Sequence, residues 1–306
     1  MTVIVRDFRP DDAEAVARVR RAVLPFEVTT PAYIRFGVER ANPAKKVRVL
    51  VAERDGEVIG TAHAGIAYDS DVPGQSYATP HVHPEHRGHG AGALLLRTAE
   101  EHLAAEGATH LYAWALDEPG FREFAERRGY RPARTAHFQH LDLANGPLPE
   151  PPAPAPGVEL RTAADYEDDP RPVYEADAEA TSDEPGDIGA SLDDYEDWIA
   201  GVWNNPLLDR GLSTIVTVDG RVAAFTAAET DGLTRYMSGM TGTRRAYRGR
   251  GLARLAKADS LRRARAAGYR DAYTSNDGAN EPMLAINRWF GYEICATEVR
   301  YVRAIG

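Results

Sequence analysis

Two six-residue stretches place glycines and positive charge where a helix opens: Arg87-Gly88-His89-Gly90-Ala91-Gly92 and Arg248-Gly249-Arg250-Gly251-Leu252-Ala253. Glycines such as Gly88, Gly90, Gly249 and Gly251 permit positive φ and let a ligand approach the main chain closely. The start of a helix offers N–H groups that lack intrahelical acceptors, together with the positive end of the helix dipole. Such a cradle suits an anion, and pyrophosphate above all. Arg87, Arg248 and Arg250 add charge that phosphate would offset. A tight turn with solvated arginines would explain one stretch alone. A second copy at the matching place of the other half argues against that explanation.

The elements around the two stretches repeat as well. Arg87 and Arg248 are 161 positions apart, as are Gly107 and Gly268, while Gly129 and Gly291 are 162 apart. A nearly constant offset across many elements marks an internal duplication. Each half opens with a strand, a polar turn and a helix, from Val3 and from Val158. An alternating apolar-polar run follows, folded about Asp55-Gly56 in one half and Asp219-Gly220 in the other, as in a hairpin. Another strand leads into each glycine-rich stretch. Its helix ends before Gly107 or Gly268, as helix C-caps often do. A further strand, a helix ending at Gly129-Tyr130 or Gly291-Tyr292, and a terminal strand complete each copy. Between the halves, residues 144–157 hold six prolines, which predicts an extended, semi-rigid spacer.

Three classes of anion loop compete. A P-loop requires Gly-Lys-Ser/Thr, which neither copy has. A dinucleotide fingerprint would close the first strand of its domain, whereas these stretches follow about four strands. The spacing here is R-x-x-G-x-G/A. Together with the order of elements, it resembles the pyrophosphate loop of the GCN5-related N-acetyltransferases. The resemblance covers nearly the whole chain, and is to the tandem members similar to actinobacterial mycothiol synthases.

The resemblance implies an α/β fold of two tandem domains, each a mostly antiparallel twisted sheet splayed at the cofactor site and flanked by helices. Residues 1–145 would form the first domain, 146–157 the linker and 158–306 the second. The cofactor implied is acetyl-CoA. Its pantetheine arm would lie where two central strands part at a bulge, and Val82 and Thr243 match the strand ends there. Amides from Arg87 to Gly92 and from Arg248 to Ala253 would hold the pyrophosphate. Asn276 and Asn280 match a cofactor-facing segment, although both are also good turn and N-cap residues. The family usually places a tyrosine four residues before the Gly-aromatic pair, to serve the departing thiolate. That position holds Asn287 in one half and Ala125 in the other. Asn287 can donate a hydrogen bond to sulfur, and Ala125 cannot. The C-terminal half is therefore expected to be the catalyst, while the N-terminal half binds acyl-CoA without turnover or only supports the fold.

Acetyl transfer to an amine requires a base, because a lysine-like amine arrives protonated with a pKa near 10. Glu229 and Asp231, at the end of the strand before the splayed one, are candidates, and so is Tyr236 on the splayed strand. Glu229 is also readable as a solvated strand end. His81 would be a base only if the N-terminal half were active. Direct attack is expected, since no cysteine stands where it could carry an acyl group. The expected function is acetylation of a primary amine on a small molecule. Protein or peptide acetylation, and a silent acyl-CoA-binding regulator, are the alternatives.

Composition bounds the rest. With 306 residues, 43% hydrophobic and 27% charged, the chain reads as two ordinary soluble domains. No apolar run suits a membrane span, and the first residues lack a signal-peptide pattern. With the single cysteine, Cys295, readable as a strand residue, a reducing cytoplasm is expected. A net charge of −10 argues against nucleic-acid binding. The acidity is concentrated in residues 165–197, where fourteen carboxylates face Arg171 alone. Residues 182–187 and 191–198 of that segment could attract a cationic acceptor, or simply be a solvated face. His81, His83, His86 and His89 invite a metal reading, but two of them lie in the anion loop, so no metal is expected. Trp198 and Trp203 read as core. A monomer and a homodimer are both compatible with the sequence.

Overall fold

The hairpin turns set the sheets. In this computed structural model, which describes residues 2–70, 72–151, 153–184 and 192–305, Asp55 and Gly56 take φ of 54° and 82°, and Asp219 and Gly220 take 49° and 77°. Positive φ at both central residues is what a two-residue type I′ turn requires.

The chain divides into two compact units, residues 1–136 with 296–306, and residues 137–295. The first contains β1 (Ile4–Asp7), α1 (Ala13–Val23), α2 (Pro31–Glu39), β2 (Arg48–Arg54), β3 (Glu57–Ile66), β4 (Gln75–Val82), α3 (Ala91–Ala105), β5 (His110–Leu116), α4 (Pro119–Glu126) and the start of β6 (Arg131–Asp142). The second contains the rest of β6, then β7 (Val158–Thr162), α5 (Arg171–Thr181), α6 (Tyr195–Trp198), β8 (Thr214–Val218), β9 (Arg221–Thr230), β10 (Arg235–Thr243), α7 (Leu252–Ala266), β11 (Asp271–Asp277) and α8 (Glu281–Phe290). The last strand, β12 (Glu293–Ala304), crosses the division.

In the first unit the strand order is β1-β2-β3-β4-β5-β12. Only β4 and β5 run parallel among its assigned pairs. Alternation along β2 builds a core on each face. Leu50 and Ala52 pack with Leu95, Leu96 and Ala99 of α3, whereas Val51 packs with Val16 and Ala17 of α1. The second unit repeats the scheme in the order β6-β11-β10-β9-β8-β7. Val216 packs with Leu252 and Leu255 of α7, and Ile215 with Val173 and Ala176 of α5. Trp198 and Trp203 are buried there, their rings stacked 5.4 Å apart. The Trp198 indole N–H donates to Asp177 Oδ2 at 2.8 Å.

The units do not follow the chain halves expected from the sequence. The end of β12 pairs with β5 from Glu298 opposite Leu116 to Ala304 opposite His110, and Val299 and Tyr301 join the first unit's core. The end of β6 lies beside β11 in the second unit, where His140 Nε2 is 2.9 Å from Asp271 Oδ1. Because the halves are copies, the free edges of β5 and β11 are alike and either terminal strand fits either edge. Nor is the proline-rich segment free along its length. Leu148 packs on the second unit's core, and Arg262 of α7 donates to the Pro149 carbonyl at 2.9 Å. Among the described residues no helix is long and apolar enough to cross a membrane. Cys295 is an exposed residue of β12.

Candidate active site

Both glycine-rich stretches adopt the conformation their composition calls for. Gly88 and Gly90 have φ of 82° and 85°, and Gly249 and Gly251 have 76° and 74°. The first internal bond of α3 is Leu94 N–H to Gly90 O at 3.1 Å, and that of α7 is Leu255 N–H to Gly251 O at 3.1 Å. The amides of residues 91–93 and 252–254 therefore precede the helical ladder. A Cβ built on Gly88, Gly90 or Gly249 would meet nothing within 4 Å, so these turns face open space. Arg87 Nε donates to Val82 O at 3.4 Å, and Arg248 Nε to Thr243 O at 3.1 Å. Each arginine thus ties its loop to the end of the preceding strand. His89 lies on the exposed side of the first loop, its Nδ1 3.3 Å from His86 O.

The strands before the loops part as expected. β4 pairs with β5 only from Gln75 opposite His110 to Tyr77 opposite Tyr112, though both strands continue. β10 pairs with β11 only from Arg235 opposite Asp271 to Ser238 opposite Thr274. The expected bulge occurs in β10, between Ser238 and Thr241. β4 instead keeps an unbroken register on β3. Its backbone orientation follows from one bond, His83 N–H to Ile59 O at 2.9 Å. Backbone groups of neighbouring residues alternate sides, so Val82 turns its N–H away from β3 and toward the gap. Pro80, two residues earlier, has no N–H.

In the first unit the gap is a cavity of about 520 Å³. Pro80 and Val82 of β4 form one side and Trp114 and Leu116 of β5 the other. Gly90 and Leu96 close the loop end, while Phe124 and Ala125 contribute from α4. Two residues of β12, Glu298 and Tyr301, complete the lining. Glu298 is 9% exposed and has no hydrogen bond or ion pair among the described residues. Burial, with a smaller contribution from Glu27, pushes its carboxyl up to about 7. His81 is half-buried, and burial with nearby Arg20 and Arg87 holds its imidazole at about 3, so it is neutral near pH 7.

One repeat away, the matching positions carry different chemistry. Leu96, Ala115, Ala125 and Tyr301 of the cavity wall correspond to Lys257, Asn276, Asn287 and Gln139 in the second unit. Lys257 Nζ donates to Asn287 Oδ1 at 2.6 Å. Asn287 Nδ2 donates to Gln139 Oε1 at 2.7 Å and Asn276 Oδ1 at 2.6 Å. Lys257 is fully buried, with Nζ 4.8 Å from the centre of the Tyr292 ring. Burial pulls its pKa down to about 7.

The other residues expected at the site have partners of their own. The Asn287 amide, expected to meet a thiolate, is held within that network, and Asn276 is its acceptor. Asn280 caps α8, accepting from Met283 N–H at 3.3 Å. Asp231 is a turn acceptor for the amides of Leu233, Thr234 and Arg235 at 2.9, 3.0 and 3.0 Å. Tyr236 is a fully buried core residue with its hydroxyl 2.7 Å from Ser260 Oγ, and burial raises its pKa, so it is not placed to accept a proton from a ligand. Glu229 is half-buried, and its carboxyl carbon would lie 3.6 Å from a Cβ on Gly239. Arg248 pairs with Asp183, which also takes Arg245 at 2.8 Å, so part of the acidic segment neutralises this chain's own arginines. Residues 185–191 of that segment lie outside the described residues. Little in the sequence marks Glu298 as a lining residue. Its one signal was a carboxylate amid the apolar alternation of a terminal strand, and chain order assigned that strand to the other half.

Comparison with known proteins bears on this geometry. Residues 14–130 match the model of the Acetyltransferase (GNAT) family. A mycothiol acetyltransferase of Nocardiopsis dassonvillei is 28% identical, with 94% of this chain and 90% of that protein covered. One from Amycolatopsis mediterranei is 28% identical, with 83% of each covered. Among solved structures, a tandem GNAT protein from the clavulanic acid biosynthesis pathway superposes with a TM-score of 0.72 at 20% identity, covering 100% of this chain and 99% of that one. A GCN5-related N-acetyltransferase from Sphaerobacter thermophilus gives 0.71 at 23% identity, covering 99% and 96%.

Proposed function

We propose that this chain, residues 14–130 of which match the Acetyltransferase (GNAT) family, is an N-acetyltransferase that moves an acetyl group from acetyl-CoA to a primary amine of a small molecule, using the cavity of the first unit. The observation that carries this reading is the continuity of that cavity. It runs from helix amides that precede the ladder of α3, past Val82, into the gap between the parted ends of β4 and β5. The relatives named mycothiol acetyltransferases support a small acceptor.

The residues suit such a thioester. Gly88 and Gly90 leave room for a diphosphate against the loop amides, with the α3 dipole behind them. The wall of Pro80, Leu96, Trp114 and Phe124 is apolar and suits a pantetheine arm. Val82 N–H supplies a fixed donor for a carbonyl oxygen that gains charge as the amine attacks. Attack is direct: the nitrogen lone pair forms the C–N bond, the C–S bond breaks, and the sulfur leaves carrying its electron pair. Ala125 has no proton to give it, so the thiolate takes one from water or from the attacking nitrogen.

The reading reverses the expected division of labour, in which the C-terminal half was the catalyst. The second unit's matching positions are filled by the Lys257–Asn287 network. The test is a thiol-release screen of the full-length protein with acetyl-CoA over a broad panel of small amines and lysine peptides. Release with a small amine supports the reading. Release with peptides alone makes the chain a peptide acetyltransferase, and binding without release makes it a silent acyl-CoA module.

A further inference from the structure

Resting on the reading just given, and deepening it, we propose that Glu298, brought to the first unit by the last strand of the chain, takes the proton from the acceptor amine. An ammonium substrate sets the requirement. It must lose a proton before its nitrogen can attack, and the acceptor of that proton must lie in the cavity that holds the thioester. Glu298 lines that cavity, is nine-tenths buried, and has no hydrogen-bond or ion-pair partner among the described residues. Carboxylates this buried are rare unless paired, and an unpaired one that lines an apolar channel reads as functional.

The other groups near it are less suited. His81 on β4 is a weak base, because burial and the positive charge of Arg20 and Arg87 hold its imidazole at about 3, far below the pH at which it would have to keep a proton. Arg20 on α1 is bound to Glu27 at 2.6 Å. Glu118, Arg127 and Arg128 lie at the α4 side of the cavity, and Arg128 stacks 3.7 Å from the centre of the Phe124 ring. On β12 itself, Arg300 lies against the rings of Tyr112 and Trp114 at 5.3 and 5.1 Å. At the matching place of β6 stands Ala136, so the duplication did not supply this carboxylate twice.

The step balances. The Glu298 carboxylate takes one proton from the ammonium. The neutral amine attacks the carbonyl carbon, the C–N bond forms and the C–S bond breaks. The sulfur leaves as a thiolate and acquires the second nitrogen proton. Glu298 then returns its proton to water. A base whose pKa burial raises to about 7 is about half ionised at neutral pH and retains more basicity than an ordinary carboxylate.

The test uses the full-length protein, acetyl-CoA and the best small amine from the screen, with Glu298→Gln and Glu298→Asp variants. Glu298→Gln should bind acetyl-CoA within about twofold of wild type by calorimetry. Its kcat should fall by about a hundredfold or more, and the acid limb of its pH–rate profile should vanish. Glu298→Asp should restore part of the rate and the limb. Carboxyl NMR titration of the ligand-free protein should show one glutamate titrating near 7, absent from Glu298→Gln. Retained turnover with an unchanged acid limb in Glu298→Gln overturns the proposal alone, as does a Glu298 titrating in the ordinary carboxylate range. Wild type that fails to bind acetyl-CoA, or releases no thiol with any amine, overturns the underlying reading and the proposal with it.

Discussion

Leu96 and Lys257 each lie six residues beyond the second glycine of their loops, yet Leu96 lines an open cavity and Lys257 buries its ammonium against Asn287 Oδ1 at 2.6 Å. Two copies of one design have thus diverged at the same wall. In the first unit the wall is aliphatic and leaves about 520 Å³ of space. In the second it carries a lysine, two asparagines and a glutamine that satisfy one another. A buried polar network is tolerated when each member finds a partner, and it then holds its surroundings in one arrangement.

That lysine makes stability depend on pH. Burial lowers its pKa from the ordinary 10.5 to about 7. Between those values the unfolded chain binds a proton that the folded chain does not, so stability rises with pH, and below about 7 the dependence ends. The slope approaches about 1.4 kcal/mol per pH unit at its steepest. Urea unfolding from pH 7 to 10 should show this rise in wild type and lack it in Lys257→Met. Equal slopes in the two proteins would mean that Lys257 titrates normally.

Removing the last strand should unfold the first unit rather than the second. A chain ending at residue 295 lacks the strand that pairs with β5, and with it the buried Val299 and Tyr301. Losing two such side chains costs several kcal/mol, comparable to the whole stability of a domain. Hydrogen exchange should find β4 and β5 unprotected and β8 and β9 still protected. Loss of protection in β8 and β9 alone would contradict the strand exchange.

Val82→Pro isolates one N–H. That N–H points away from β3, so its removal should leave the melting temperature within a few degrees of wild type. If it polarises the thioester carbonyl, kcat should fall by about 10²–10³-fold. A full rate in a folded Val82→Pro protein would assign the carbonyl to another donor.

Much of this architecture was readable from residue type and spacing. The duplication, the I′ turns at Asp55-Gly56 and Asp219-Gly220 and the positive-φ loop glycines follow from local chemistry, which sequence states directly. The partner of a terminal strand does not. β12 fits either of two equivalent edges, and only the folded chain shows that its end pairs with β5. For that reason Glu298 was invisible as a site residue. The partners of Asn287 were hidden for a related reason. An asparagine facing a ligand and one facing a buried lysine look alike in sequence, and Lys257 sits among the apolar residues of α7 with nothing local to mark it. Asp231 and Asn280 followed the ordinary turn and cap chemistry of their types.

The account centres on the first unit as the seat of acetyl-CoA. Titration calorimetry of acetyl-CoA into the full-length protein, Gly90→Asp and Gly251→Asp tests it most directly. An aspartate at either glycine forces a β-carbon into positive φ and sets a carboxylate in the anion cradle. The account predicts one site in wild type, weakened more than tenfold by Gly90→Asp and unchanged by Gly251→Asp. A site abolished by Gly251→Asp and indifferent to Gly90→Asp would contradict it.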